Sequence, residues 1–145
     1  MTPRMTDGGP EHEKRIEIRW SDLDVYGHVN NAIYLTYLEE VRDEWLGGRL
    51  GDPDQIWNWV LARVEIDYRR ALARADDVAV ASCRVDRVGN SSLTTHEEVR
   101  AADGELVAEA RAVLVARDRE SGRSRPLTAV ERAAFEGLAP DGGES

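Results

Sequence analysis

One long amphipathic helix is the feature that most constrains the fold of this chain. Apolar side chains recur at helical spacing between about Asn30 and Trp45. The stripe consists of Tyr34, Tyr37, Leu38, Val41 and Trp45. We expect Gly47 and Gly48 to end the helix, as glycines at helix C-termini commonly do. The other side of the helix is polar, so the stripe alone needs a surface to bury against.

Alternating polar and apolar residues predict β-strands on both sides of this helix. The predicted strands are 14–20, 56–68, 78–88, 91–100 and 106–117. A short second helix, 129–135, should begin at the capping box of Thr128 and Glu131. This order predicts an α+β domain in which an antiparallel sheet of about five strands wraps around one long helix. Because such a sheet keeps an exposed edge, we expect a homodimer.

Length and composition narrow the possible functions. The 145 residues predict one domain, 13–137, between disordered tails at 1–12 and 138–145. The chain has 28 acidic and 19 basic residues, and this net charge of −9 argues against binding to nucleic acid or to an anionic membrane. The absence of a long apolar run and of a signal-peptide pattern favours a cytoplasmic protein. A single cysteine, Cys83, is predicted to be a core residue.

A polar loop before the long helix brings together groups that can do chemistry. These groups are two carboxylates, a glycine, a histidine and two asparagines: Asp22, Asp24, Gly27, His28, Asn30 and Asn31. The first N–H groups of a helix have no internal acceptor and favour negative charge. The loop therefore offers a base or nucleophile beside a place where an oxyanion can form. A purely structural interpretation also exists, in which Asp24 caps a turn and Asn30 caps the helix.

The loop pattern D-x-D-x-x-G-H-V-N-N resembles the hot-dog fold acyl-CoA thioesterases, and most closely the 4-hydroxybenzoyl-CoA thioesterase-like family. The resemblance covers about residues 14–136, with weaker matches at 89–92 and 103–109. It implies a homodimeric or tetrameric hot-dog fold. It also implies an enzyme that hydrolyses an acyl-CoA thioester to a free carboxylic acid and CoA.

The resemblance also implies roles for individual residues. Asp24 matches the catalytic carboxylate, which acts as nucleophile or as general base, and the backbone N–H near Asn31 matches the donor that polarises the thioester carbonyl. His28 matches a histidine common in one subgroup of the family. Tyr26 stands where the related plant-type acyl-carrier thioesterases have an asparagine, so their Asp-Asn-His network is not reproduced. Another branch of the fold uses a catalytic glutamate on the long helix. Glu39 and Glu40 keep that option open, but the presence of Asp24 makes it the less favoured one.

Thioester hydrolysis also requires contacts to the bound substrate. We expect the oxyanion donors to be the backbone N–H groups of Asn30 and Asn31. The predicted substrate-binding residues are Tyr26, Gly27, Asn30, Tyr34, Arg69, Arg70, Ser91 and Ser92. Among these, the arginines suit the CoA phosphates. CoA is part of the substrate, so no separate cofactor is expected. The three histidines lack metal-ligand spacing, so we predict no metal site.

Other functions on the same fold remain open at this point. The enzyme can act on acyl groups carried by an acyl-carrier protein, or the chain can be a non-catalytic acyl-CoA binding module. Hot-dog dehydratases and hydratases fit less well, because their motifs place a histidine and an acid on the helix differently. The residues do not specify the acyl chain, the choice between dimer and tetramer, or the choice between nucleophile and general base for Asp24.

Overall fold

A computed structural model describes residues 9–140 of the chain and contains one five-stranded antiparallel sheet. The elements in chain order are β1 His12–Glu17, α1 Asn31–Arg49, β2 Trp59–Tyr68, β3 Val78–Val88, β4 Ser92–Ala101, β5 Leu106–Ala116 and α2 Ala129–Phe135. The strand order across the sheet is β1-β3-β4-β5-β2, so β1 and β2 form its edges. The predicted α+β architecture of five antiparallel strands and one long helix is confirmed.

The core lies between α1 and one face of the sheet. Every residue of the predicted stripe of α1 is buried. Strand β4 alternates buried and half-buried residues along its whole length, as a strand with one covered face should. Cys83 is buried in this core, and burial raises the pKa of its thiol. The predictions for the helix stripe and for this cysteine are therefore confirmed.

A buried ion pair connects α1 to the sheet. Arg42 donates from Nε to Oε2 of Glu97 at 2.8 Å and from Nη2 to Oε1 at 2.9 Å. The hydroxyl of Thr95 adds a third bond, to Oε2 of Glu97, at 2.7 Å. Glu97 is fully buried and Arg42 is 4% exposed, so each charge depends on the other.

The structure corrects the end of the long helix. Gly47 and Gly48 lie within α1, which continues to Arg49. Gly47 is required for packing, because a Cβ at this position would lie 3.1 Å from the Cα of Pro53. The glycine pair therefore permits a close approach of the following segment, and the helix ends one to two residues later.

Two predicted strand boundaries also differ from the structure. Residues Pro53–Asn58 form a 3-10 helix that the side chain of Asp52 caps, so β2 begins at Trp59 and not at residue 56. At the other end, β1 is shifted toward the N-terminus, and Trp20 belongs to a 3-10 turn. The alternation of polar and apolar residues therefore extends beyond the true strand ends, into short 3-10 turns.

The predicted tails lie largely outside the described residues. His12, the last residue of the predicted N-terminal tail, begins β1, and the preceding Glu11 N–H donates to the Cys83 carbonyl at 2.7 Å. Leu138 and Ala139 pack partly against the core. Residues 1–8 and 141–145 are not described. No helix within 9–140 combines the length and apolar character needed to cross a bilayer.

Candidate active site

The loop between β1 and α1 forms a short hairpin. Asp24 donates its backbone N–H to the His28 carbonyl at 2.8 Å, and residues 23 and 29 form an isolated antiparallel bridge. The turn closes with the Gly27 N–H donating to the Asp24 carbonyl at 3.0 Å. Gly27 has a φ of 80°, which only glycine adopts without strain. The hairpin holds Asp24 on one arm and the start of α1 at the end of the other.

The Asp24 carboxylate is fixed by its own loop. Its Oδ1 accepts the backbone N–H of Tyr26 at 2.9 Å and that of His28 at 3.1 Å. Both bonds use one oxygen, so Oδ2 is free of the loop's own hydrogen bonds. The side chain is only half-buried, which leaves it accessible to water or to a substrate. Turn capping and a chemical role are therefore compatible at this residue.

The start of α1 distinguishes between the two proposed backbone donors. Asn30 is the N-cap, and its side-chain oxygen accepts the N–H of Ala32 at 2.9 Å. Its own backbone N–H donates to the Asp22 carbonyl at 2.9 Å. The expectation that the Asn30 N–H binds an oxyanion is therefore corrected. Asn31 is the first helical residue, and helix geometry provides no acceptor within α1 for its N–H.

Asp22 has a structural function in the hairpin. Its buried Oδ2 accepts the Tyr37 hydroxyl at 2.6 Å and the backbone N–H of Arg19 at 2.9 Å. Burial raises the pKa of the Tyr37 hydroxyl, and its hydrogen bond to Asp22 raises the pKa further. Tyr37 therefore donates to Asp22, and this bond ties the first arm of the hairpin to α1.

We expect Tyr37→Phe to destabilise the protein by about 2 kcal/mol, because it leaves a buried carboxylate without one of its donors. Urea denaturation followed by circular dichroism measures this change. Tyr26→Phe is the matched control, since Tyr26 is 80% exposed and its loss of a hydroxyl should leave the midpoint unchanged. Equal midpoints for Tyr37→Phe and the wild type would contradict this role of Asp22.

Two further tyrosines hold the other side of the helix start. Tyr34 is 1% exposed, and its hydroxyl oxygen accepts the backbone N–H of Leu72 at 2.8 Å. Tyr68, at the end of β2, donates its hydroxyl to the Asn31 carbonyl at 2.9 Å and packs edge-on against Tyr34. Tyr34, predicted to bind substrate, is thus a core residue that orients the segment beside His28. Tyr68 was missed, because nothing in the alternation of β2 indicates that its hydroxyl reaches α1.

The remaining predicted loop residues face solvent. The His28 side chain is exposed, whereas its backbone forms an isolated bridge with Ala73. Tyr26 is exposed at the tip of the turn. Both side chains lie beside Asp24 along the hairpin, and both are available to a ligand bound there.

The predicted phosphate-binding residues fall into two groups. Arg69 and Arg70 follow β2 directly, at the end of the sheet where Tyr68 contacts the start of α1. Arg69 pairs with Glu109, and Arg70 pairs with Asp76 and Glu105.

Ser91 and Ser92 lie at the opposite end of the sheet. They follow β3, whose 11 residues separate them from the Asp24 end by about 33 Å. One chain therefore does not bring these serines to the same site as Asp24.

A group of metal-capable side chains occurs away from this loop. The ligand atoms of His96, Glu98 and Glu109 lie within 4.8 Å of one another on the outer face of β4 and β5. The hydrogen bond from His96 lowers the pKa of Glu98 to about 2, with a further contribution from Arg100. Neighbouring arginines pair with both carboxylates. We therefore interpret the group as an ion-pair network, and the absence of a metal site stays a prediction.

Comparisons with known proteins identify the family of this chain. The profile of the Thioesterase-like superfamily matches residues 18–135. The long-chain acyl-CoA thioesterase FadM of Escherichia coli is 30% identical over 129 residues, which cover 86% of this chain and 96% of FadM.

Solved structures agree as well. A thioesterase of Thermus thermophilus, crystallised with coenzyme A and Zn, is 34% identical, with a TM-score of 0.81 over 90% of this chain and 95% of that one. A 1,4-dihydroxy-2-naphthoyl-CoA thioesterase of Synechocystis shares the fold, with a TM-score of 0.73, 17% identity, and coverage of 86% of this chain and 94% of that one. The chain therefore belongs to the thioesterase-like superfamily of hot-dog fold proteins and is a thioester hydrolase.

Proposed function

We propose that this protein hydrolyses acyl-CoA thioesters, with Asp24 as the catalytic carboxylate and the Asn31 N–H as the oxyanion donor. The observation that carries this proposal is the hairpin. Its first arm carries the accessible Asp24 carboxylate, and its second arm, which pairs with the first, leads into the N-terminus of α1. Asp24 is half-buried, and its Oδ2 accepts no hydrogen bond from the loop; both facts support a role in activating water or attacking the acyl carbon.

The reaction requires few groups beyond these two. Water, directly or after formation of an acyl-Asp24 anhydride, supplies the hydroxyl of the product acid. The carbon–sulfur bond breaks, and CoA leaves as a thiolate that takes up a proton. The Asn31 N–H hydrogen-bonds the carbonyl oxygen as negative charge develops on it. In other enzymes, removal of such a donor raises the activation free energy by ~3 kcal/mol. The exposed imidazole of His28 contacts the same carbonyl or orients Asp24.

Two arginines beside this end of the sheet are the proposed partners of the CoA phosphates. Arg69 and Arg70 follow β2, whose last residue, Tyr68, contacts the start of α1. Both guanidinium groups are held by carboxylates on the surface, so a phosphate would join existing ion pairs. In this proposal, Ser91 and Ser92 bind phosphate only at the active site of another copy, because within one chain they lie at the far end of the sheet.

A panel of thioesters tests the proposal. Purified protein is assayed for thiol release with short, long, branched and aryl acyl-CoAs, and with the same acyl groups on an acyl-carrier protein. Multiple turnovers on acyl-CoA support the proposal. Faster hydrolysis of the carrier-bound esters would move the substrate to the carrier class. A folded protein that releases no thiol from any ester would contradict the proposed activity.

We further propose that two copies associate through β2. This strand is a sheet edge, and Val60 on it is 42% exposed. Long exposed edge strands invite pairing with another chain, and apolar side chains favour that outcome.

We expect a solution mass of twice the chain mass by sedimentation equilibrium, and a weakened dimer for Val60→Lys. Val130→Lys is the matched control, since Val130 is a 73% exposed valine on α2, away from the edge. A monomeric wild-type protein would contradict the proposal, as would equal weakening by both lysines.

A further inference from the structure

Two adjoining cavities form one groove between α1 and the inner face of β2. We call it the α1–β2 groove. The cavity nearer the start of α1 has a volume of about 160 Å³, and the one nearer its end has about 270 Å³. Glu39, Arg42 and Leu61 line both cavities, so the two adjoin along one side of α1.

The groove runs away from the candidate active site. Its near end is lined by Leu35 and Thr36, one helical turn after Asn31. Its far end reaches Asp43 and Leu46, and Asp43 lies about 18 Å along the helix from Asn31. An acyl group whose carbonyl meets the Asn31 N–H therefore has a path of roughly the length of an extended long-chain acyl group.

Apolar and polar side chains line both parts of the groove. The near part has three aliphatic side chains, Leu35, Leu61 and Val64, which suit the body of a hydrocarbon chain, beside Thr36, Glu39 and Arg42. The far part combines aromatic residues with two carboxylates, Glu39 and Asp43, and with two arginines, the buried Arg42 and Arg117. Burial raises the pKa of Asp43, and the charge of Glu39 raises it further.

A second observation also indicates an unfilled hydrogen-bonding requirement at the far end. Trp59 lines this cavity and is 7% exposed, and its buried indole N–H has no acceptor within the part of the chain that the structure describes. Buried polar groups are normally hydrogen-bonded, so an unpaired donor beside a cavity is consistent with a polar ligand group. The far end thus offers acceptors at Glu39 and Asp43 and a donor at the Trp59 indole N–H.

We infer that the far end of the α1–β2 groove binds a hydroxyl group near the end of the substrate's acyl chain. The inference rests on the proposed acyl-CoA hydrolysis, since the groove matters only if the acyl chain enters it. A hydroxyl both donates and accepts, which matches the mixed groups there. A plain methyl end would desolvate the half-buried Asp43 and would leave the Trp59 N–H without an acceptor.

Matched substrates test this inference. Values of kcat/KM are measured for hexadecanoyl-CoA and omega-hydroxyhexadecanoyl-CoA with wild-type protein and with Asp43→Leu. We expect the wild type to prefer the hydroxylated substrate by about tenfold, the scale of one hydrogen bond to a charged acceptor. Asp43→Leu should abolish or reverse this preference, whereas Asp43→Asn, which can still hydrogen-bond, should retain most of it.

The control and the outcomes separate this inference from the proposed function. Glu44→Leu places the same side chain on the same helix outside the groove, where Glu44 contacts His12 and Lys14, and it should leave the substrate preference unchanged. Equal or greater activity of the wild type on hexadecanoyl-CoA would overturn the hydroxyl site while leaving the thioesterase intact. A lack of activity on every CoA ester would instead overturn the proposed function on which the inference rests.

Discussion

Replacing Asp24 with asparagine should lower kcat for acyl-CoA hydrolysis by about 10²- to 10⁴-fold, the range typical of a lost catalytic acid or base. The change should leave the loop intact, because an asparagine side-chain oxygen can still accept the N–H groups of Tyr26 and His28. Only the negative charge and the basicity are removed. Initial rates of thiol release measure kcat, and urea denaturation should show an unchanged midpoint.

A second aspartate provides the control for this substitution. Asp52 caps a 3-10 turn in the same way, with its Oδ1 accepting the Asp54 N–H at 3.0 Å, but it lies beyond the C-terminal end of α1. Asp52→Asn should therefore keep full activity. Asp24→Ala should lose both activity and loop stability, because it also removes the acceptor. A fully active Asp24→Asn enzyme would refute the assignment of Asp24 and leave the thioesterase fold and family unaffected.

The fold was predictable from the sequence because the spacing of apolar residues and the residue types at the turns indicate the same elements over most of the chain. Strand β3 and helix α2 have the predicted limits, and Thr128 and Glu131 form the predicted capping box. The errors occur where tertiary packing overrides local preference. The glycine pair predicts a helix stop at Gly47, whereas the missing side chain of Gly47 allows Pro53 to approach the helix. Such a contact between separate segments leaves no trace in a local pattern.

The candidate site was predictable only where its residues are close in sequence. The hairpin and the cap at Asn30 involve neighbouring residues, and the spacing of the loop indicated both. The contact from Tyr68 to Asn31 spans 37 residues, and it depends on how β2 crosses the sheet. The sequence also could not show that the Asn30 N–H is taken by the Asp22 carbonyl, which leaves the Asn31 N–H as the candidate donor. The acceptor is a backbone group, and side-chain patterns do not reveal it.

The buried ion pair of Arg42 and Glu97 should have the largest effect on stability. Arg42→Met removes both guanidinium bonds and leaves a fully buried carboxylate, whose remaining donor within residues 9–140 is the Thr95 hydroxyl. Breaking such a pair from one side typically costs about 3–5 kcal/mol, and we expect this range for the free energy of unfolding. Denaturant unfolding gives the value. Lys14→Met, which breaks a partly exposed ion pair with Glu44, should cost less than about 1 kcal/mol.

The double variant Arg42→Met with Glu97→Leu separates the worth of the pair from the cost of an uncompensated charge. The two apolar side chains have similar volumes to those they replace, and no charge remains buried at this position between α1 and β4. Replacement of a buried pair by packed apolar residues is often neutral or stabilising by about 1–4 kcal/mol. We therefore expect the double variant to be more stable than Arg42→Met alone. A loss equal to the sum of the two single losses would show that the charges are independent, contrary to the bidentate geometry between α1 and β4.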